Sequence, residues 1–379
     1  MHINDLPNEL ILNIFKQTPW SEDMISCSKV CHRWEELAYQ RLSRIEYLLG
    51  VYEYNEDPTI TEDNVMYYHH NIMQKGYLET LVQYIPNLRI LEIIDAYKME
   101  PEFLALLLQH GPPIKGLRYL RRIPGAIDYA LDHLQMISTN CLTEPHVTLI
   151  DTLQQVYIVY SIERTLEILS CFNCLKRVHI HDFVGGKISR IPSRKFEKLK
   201  ILELGFKSSD TIERICLGSL INVCPNLKSL YIRLDRHQIS DIDLPDITMF
   251  VEDVVLEYDE SVLPDDAIPP ILESFPNLKN LALRRNSGLT DYEIREILSN
   301  WTQLSTLDVR GSVNITPYAE SIVEKFSQNY NREINFFWGE YSLNRPSVRE
   351  ALICAGFDFM SNVFHRQFSQ VPSFLDDIE

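Results

Sequence analysis

The side chains that could do chemistry are few and scattered. Cys171-x-x-Cys174 is half of a zinc-ligand pattern, but no second pair follows at zinc-like spacing. It closes a segment of helical patterning, where cysteine is expected as a small core filler. His179-x-His181-Asp182 sits in a strand-like stretch, so alternation would turn both imidazoles to one face. With no third ligand nearby, they read as surface histidines. Cys31-His32 joins a nucleophile type to a base type, yet neighbours on a helix point about 100° apart and cannot share a proton. Gly185-Gly186-Lys187 lacks the spacing and the following Ser or Thr of a phosphate loop. Asn300-Trp301-Thr302 and Asn314-Ile315-Thr316 match the glycosylation pattern, which matters only in a secreted chain. No catalytic constellation results, and neither a metal nor a cofactor is expected. An enzyme would have to be built on these cysteines or histidines.

The bulk numbers narrow the classes further. At 379 residues the chain is long enough for more than one compact unit. Apolar content of 45% excludes global disorder. No window approaches the roughly 18 consecutive apolar residues of a membrane span. Met1-His2-Ile3-Asn4-Asp5 lacks the basic start of a signal peptide, so a cytoplasmic or nuclear location is expected, with reduced thiols. A formal charge of −17 argues against binding nucleic acid or an anionic membrane surface.

The elements that could position anything begin at the N-terminus. In Asp5-Leu6-Pro7-Asn8-Glu9-Leu10-Ile11-Leu12-Asn13-Ile14-Phe15, Pro7 suits a helix's first turn and Glu9 its positive end. Leu10, Ile11, Leu12, Ile14 and Phe15 sweep an arc of about 200°, where one packed neighbour needs about 100°. Ser21 reads as the N-cap of a second helix through Met24 and Ile25. Val30, Trp34, Leu37 and Ala38 form one inward stripe of a third. Three short helices enclose little core, so exposed side chains of the first would each forfeit about 1.5–3 kcal/mol. Such a module completes its core with another protein.

Leu6-Pro7-x-Glu9-Leu10, then Ile14-Phe15, Asp23-Met24 and Val30-Cys31-x-x-Trp34 resemble an F-box over residues 3–40. The family usually has Leu at Thr18 or Pro19 and at Met24, mild departures. The resemblance implies docking on the Skp adaptor, and through it cullin, of a Skp–cullin–F-box ubiquitin ligase. It places Leu6, Pro7, Leu10, Ile11, Ile14, Phe15, Val30, Cys31 and Trp34 at the contact.

A second pattern fills the rest. Ile85-Pro86-Asn87-Leu88 recurs as Cys224-Pro225-Asn226-Leu227 and Phe275-Pro276-Asn277-Leu278. The frame Leu-x-x-Leu-x-Leu also fits Leu175/Val178/Ile180, Leu199/Leu202/Leu204, Val251/Val254/Leu256 and Leu304/Leu307/Val309, with weaker copies at Leu153/Val156/Ile158 and Ile334/Phe336. From Leu175 onward the first anchors lie 24, 28, 24, 27 and 26 residues apart. Returns are expected as helices over 211–223, 267–275 and 291–301. This resembles the leucine-rich repeat found behind many F-boxes, poorest over 94–150. The fold class is therefore α/β: a three-helix F-box followed by a leucine-rich-repeat solenoid, parallel sheet inside and helices outside. Residues 1–45 are expected as the F-box, 46–80 as linker or first cap, 81–339 as the solenoid, and 340–379 as C-terminal cap and acidic tail. Val65–Tyr84 is expected to be largely helical, and residues 53–64 a loop.

About nine strands at roughly 4.8 Å make a sheet about 40 Å long, the scale of a protein partner. Alternation sets Glu92, His179, Glu203, Tyr231, Val255, Ala282, Asp308 and Asn335 in one column of the concave face. Ile94, His181, Gly205, Arg233, Glu257, Arg284, Arg310 and Phe337 fall in the next. Arg233, Arg284 and Arg310 could hold an acidic or phosphorylated segment of a target, or could pair with Glu257 and Asp308 across strands. The expected function is a non-catalytic substrate receptor that supplies effective concentration. The alternative is a non-ligase scaffold that uses the same modules.

Overall fold

The structure is a computed structural model of the chain. It describes residues 3–51, 63–69, 81, 84–93, 114–119, 134–139, 142, 150–160, 164–183, 192–206, 217–234, 246, 248–258 and 267–339. These fall into two compact units, one holding those up to 139 with 150–153, the other 142 and 154–339.

The first unit opens with a 3₁₀ turn, Ile3–Asp5, and three helices: α1 (Asn8–Lys16), α2 (Ser21–Ser28) and α3 (His32–Leu42). Pro7 stands just outside α1 with φ −55° and ψ 153°, and its carbonyl accepts from the amides of Leu10 and Ile11 at 3.1 and 3.2 Å. Ser21 is the first residue inside α2, and Trp20, in extended backbone, takes the cap position. The Ser21 hydroxyl donates to Glu22 instead.

Five parallel strands follow: β1 (Tyr47–Val51), β2 (Val65–His69), β3 (Ile90–Ile93), β4 (Gly116–Tyr119) and β5 (Met136–Thr139). Their order is β2-β1-β3-β4-β5. Residues 65–69 are thus a strand where a helix was expected. Val-Met-Tyr-Tyr-His is buried along its whole length, and β-branched and aromatic side chains fit a covered sheet. Gly116 allows β4 to approach β3, since a Cβ there would stand 2.9 Å from Cγ1 of Ile90. β5 lies in the stretch that matched the repeat worst.

The outer side of β2 is closed by the helical module. The amide of Tyr67 donates to the Pro19 carbonyl at 2.8 Å, and that of His69 to a Glu22 carboxylate oxygen at 2.7 Å. Trp20 stacks on the His69 ring at 3.8 Å between centroids and tilts against Tyr67. Buried Arg41, from α3, donates to the carbonyls of Asp63 and Val65.

The second unit repeats a strand and a return. Its strands are β6 (Gln155–Tyr160), β7 (Arg177–Phe183), β8 (Ile201–Phe206), β9 (Ser229–Leu234), β10 (Asp253–Tyr258), β11 (Asn280–Arg284), β12 (Thr306–Asp308) and β13 (Asn335–Phe337). They pair in parallel and in chain order. The described returns are α4 (Thr165–Leu169), α5 (Leu217–Asn222), a 3₁₀ turn Pro270–Ser274, α6 (Asp291–Asn300) and α7 (Pro317–Tyr330). Pro269 and Pro270 withhold amide donors, which holds the expected 267–275 helix to one short turn. Thirteen strands stand among the described residues against the nine expected, because those of the first unit carry incomplete leucine frames.

The Pro-Asn-Leu copies have a physical reason. The leucines are buried anchors: Leu88, Leu227 and Leu278. Each asparagine amide donates to a carbonyl of the preceding segment: Asn87 to Ser43 at 2.6 Å, Asn226 to Glu197 at 2.7 Å and Asn277 to Met249 at 2.9 Å. The expected columns hold in register from Glu203 through Tyr231, Val255 and Ala282 to Asp308. The last step is corrected by two residues: Asp308 faces Phe337, and Asn335 faces Thr306. A period of two leaves such a slip on the same face, so the pattern alone does not detect it. The expected loop at 53–62, the course of 94–113, the glycines at 185–186 and the cap and tail at 340–379 lie outside the described residues.

Candidate functional site

Two places could meet a partner: the surface of the helical module and the inner face of the strands. On α1, Leu10 and Ile14 are four residues apart and therefore on one side. They are 48% and 43% exposed, and Pro7, three residues before Leu10, is exposed as well. Ile11 and Phe15, expected at the same contact, are each 1% exposed. They fill the module's own interior, where Phe15 meets the edge of Trp34 at 5.4 Å, and a docked partner would not reach them. The arc of 200° is thus shared between an inner and an outer side.

Val30 is corrected too. It precedes α3 rather than joining its inward stripe, and is 58% exposed. Leu37 and Ala38 carry the burial instead. Leu6, Cys31 and Trp34 are half-buried. Arg33 was not foreseen. Its guanidinium donates to the carbonyls of Asn4 and Leu6, both at 2.6 Å, and to the Asn8 side chain at 2.8 Å. The Trp34 indole donates to Asn4 as well. Arg33 and Trp34 therefore fix the Leu6-Pro7 turn from α3. A basic residue beside the motif tryptophan was the available signal.

The inner face departs most from expectation. Glu92, His179, Glu203, Tyr231, Arg284 and Asp308 are all buried, not open to a target. They are occupied with each other across neighbouring strands. In the first unit Arg118 meets Glu92 at 3.2 Å. In the second, Arg177 donates twice to Glu203, both at 3.2 Å. His179 stands 3.8 Å from the same carboxylate and stacks on Tyr157, so it is no surface histidine. The Tyr231 hydroxyl donates to Glu257 at 3.0 Å, beside Val255 and Ala282. Asp308 is held by Arg284 at 2.9 Å and by Arg310 at 2.6 Å, and Arg310 lies over the Phe337 ring. Of the two readings of the arginine column, pairing is what Arg284 and Arg310 do: Arg284 reaches Asp308 across strands, and Arg310 folds back on the same carboxylate from two residues further along its own segment. Arg233 is half-buried, and the His181 side chain lies outside the described ones.

The number of arginines sets the charge state. Burial pushes the Glu92 and Glu203 carboxyls up to about 7, and Arg118 or Arg177 offsets only part of that. At Asp308 burial pushes the same way, but Arg284 and Arg310 together more than reverse it and hold its pKa below the ordinary value. Each pair joins neighbouring strands and is closed off from solvent.

Cys171 and Cys174 are each hydrogen-bonded within the fold. Cys171 donates to the Glu167 carbonyl, and Cys174 accepts from the Lys198 ammonium at 3.4 Å. Burial pushes the Cys224 thiol up to about 12. Among the described residues no three His, Cys, Asp or Glu side chains gather as a metal would need, and no helix is long and apolar enough to cross a membrane.

With three helices, the Leu6-Pro7 turn and an uncovered α1 side in place, comparison with known proteins bears on the module directly. Residues 3–44 match the F-box-like family. No curated protein matches the chain. Among solved structures it is similar to "Crystal structure of TLR13-ssRNA13 complex", at 12% identity and a TM-score of 0.35. That alignment covers 73% of this chain and 36% of the other, and a likeness so slight says nothing of what this chain binds. The chain thus carries an F-box-like domain over residues 3–44, ahead of repeated strand-and-return α/β structure of leucine-rich-repeat type.

Proposed function

We propose that the chain is the substrate-recognition subunit of a Skp–cullin–F-box ubiquitin ligase, acting in the cytoplasm or nucleus. The F-box-like domain binds the Skp adaptor and through it cullin, and the repeats hold a protein target. The observation that carries this reading is the divided α1: Ile11 and Phe15 complete the module's interior while Leu10 and Ile14 stay uncovered on the adjoining side. Covering both on docking gains roughly 1.5–3 kcal/mol each. The chain contributes no bond chemistry; it holds the target near the transfer machinery. Target contacts fall outside the buried inner column, on the partly open Arg233, Arg310 and Phe337 expected in the column beside it.

The test is capture of purified Skp adaptor and cullin by the wild-type chain and by Leu10→Asp/Ile14→Asp. Both partners should be retained by the wild type and lost by the variant, with unchanged circular dichroism. Adaptor captured without cullin would favour the scaffold alternative. Equal capture by the variant would remove α1 from the docking surface.

A further inference from the structure

Each strand is preceded by one residue whose backbone joins the sheet ladder before the strand begins. In the second unit the Lys200 amide donates to the Lys176 carbonyl at 2.8 Å, and the Lys228 amide to the Lys200 carbonyl at 2.9 Å. Three consecutive rungs thus present lysine at the same position, about 4.8 Å apart. The segment leading into β8 adds Arg194, Lys195 and Lys198, all exposed. It is held beside the next repeat by the Phe196 amide on the Val223 carbonyl and by the Asn226 side chain on the Glu197 carbonyl.

Six cations therefore share one strand-start edge in a chain of net charge −17. The lead-in over 192–199 carries one carboxylate, the exposed Glu197. The next rung, Glu252, is taken by Lys279 at 2.9 Å. Lys176, Lys228, Arg194 and Lys195 form no ion pair among the described residues, while Lys198 rests on the Cys174 sulfur.

We propose that this edge is a docking surface for an acidic protein segment carrying several consecutive carboxylates. An extended peptide places alternate side chains about 6.7 Å apart, so three facing carboxylates span about 13 Å. Three rungs with flexible lysine stems cover that length. A carboxylate partner fits better than nucleic acid for two reasons. The rest of the chain repels a long polyanion. Among the described residues the three lysine rungs and their lead-in carry no exposed aromatic side chain for base stacking, since Phe196 is buried and the exposed Phe250 belongs to the neighbouring Glu252 rung. The proposal is independent of the adaptor reading, and its test contains no adaptor.

The experiment is titration of the full chain against fluorescent hexaglutamate, with hexaglutamine and a single-stranded oligonucleotide of equal charge in parallel. Lys176→Gln/Lys200→Gln/Lys228→Gln should weaken hexaglutamate binding about tenfold. Lys29→Gln/Arg295→Gln/Lys325→Gln changes net charge equally on other exposed surface and should weaken it less than about twofold. Hexaglutamine should not bind. The proposal is overturned if the wild type ignores hexaglutamate, if the two triple variants lose equally, or if the oligonucleotide binds more tightly. Matching circular dichroism of both variants guards against misfolding as the cause.

Discussion

Arg177 and Glu203 stand on neighbouring strands and meet through two contacts of 3.2 Å, with neither side chain reaching solvent. One guanidinium does not fully offset the burial of the carboxyl, which therefore titrates near 7. Arg177→Ala would leave that carboxyl buried without its guanidinium, and a loss of about 3–5 kcal/mol is expected in urea unfolding. Arg177→Met/Glu203→Leu should be far milder, because no charge is then stranded.

Stability should also depend on pH through this pair and its counterpart Glu92–Arg118. Both carboxyls are raised from 4.5 to about 7 on folding. Between those values the folded chain binds more protons than the unfolded one, so this stabilisation is full below 4.5 and is lost as pH rises through 7. The urea midpoint should be higher near pH 6 than near pH 8. Glu92→Gln/Glu203→Gln should flatten the dependence. A wild-type midpoint that rises over that interval would contradict the assignment.

Asp308 behaves in the opposite sense, since its folded pKa is lowered by two arginines. Asp308→Asn should cost about 3–5 kcal/mol, because Arg284 is buried and loses its charge partner. Arg310→Gln should cost only about 1 kcal/mol, since Arg284 still holds the carboxylate and position 310 is nearer solvent. Calorimetry of both variants checks the order.

On α1 the two sides should respond differently. Ile11→Ala or Phe15→Ala should lower stability by about 2–5 kcal/mol. Leu10→Ala or Ile14→Ala should change it by less than about 1 kcal/mol, their larger effect appearing in adaptor capture. If all four lowered stability alike, α1 would have no free side.

Thr290 closes α6 with a capping box: its hydroxyl accepts from the Tyr292 amide while its own amide donates to Glu293. Thr290→Ala should cost about 1 kcal/mol, read as a fall in thermal midpoint.

What the residues disclosed follows from how periodic signals work. Leucine spacing fixed the strands from Leu175 onward because each anchor must enter the core at the same phase. Pro-Asn-Leu marked the turns because the asparagine amide ties one repeat to the preceding segment. β2 and β5 carry no such signal because Val65–His69 and Met136–Thr139 contain no leucine to mark the frame. The inner column holds its expected register from Glu203 to Asp308 and slips at Asn335, and most of it is buried rather than open surface. Alternation says which face a side chain takes, not whether Arg177, Arg284 and Tyr231 will bridge to neighbouring strands. Arg33 carries no periodicity at all, since its partners lie 25 to 29 residues earlier in the chain.

Pro19, Trp20 and Glu22 occupy the outermost strand's spare hydrogen-bonding side. The helices that would grip the adaptor therefore double as a plug. Excising them to prepare a tidy repeat fragment would bare the Val65–His69 margin, and a second copy's backbone is the natural substitute for the one removed.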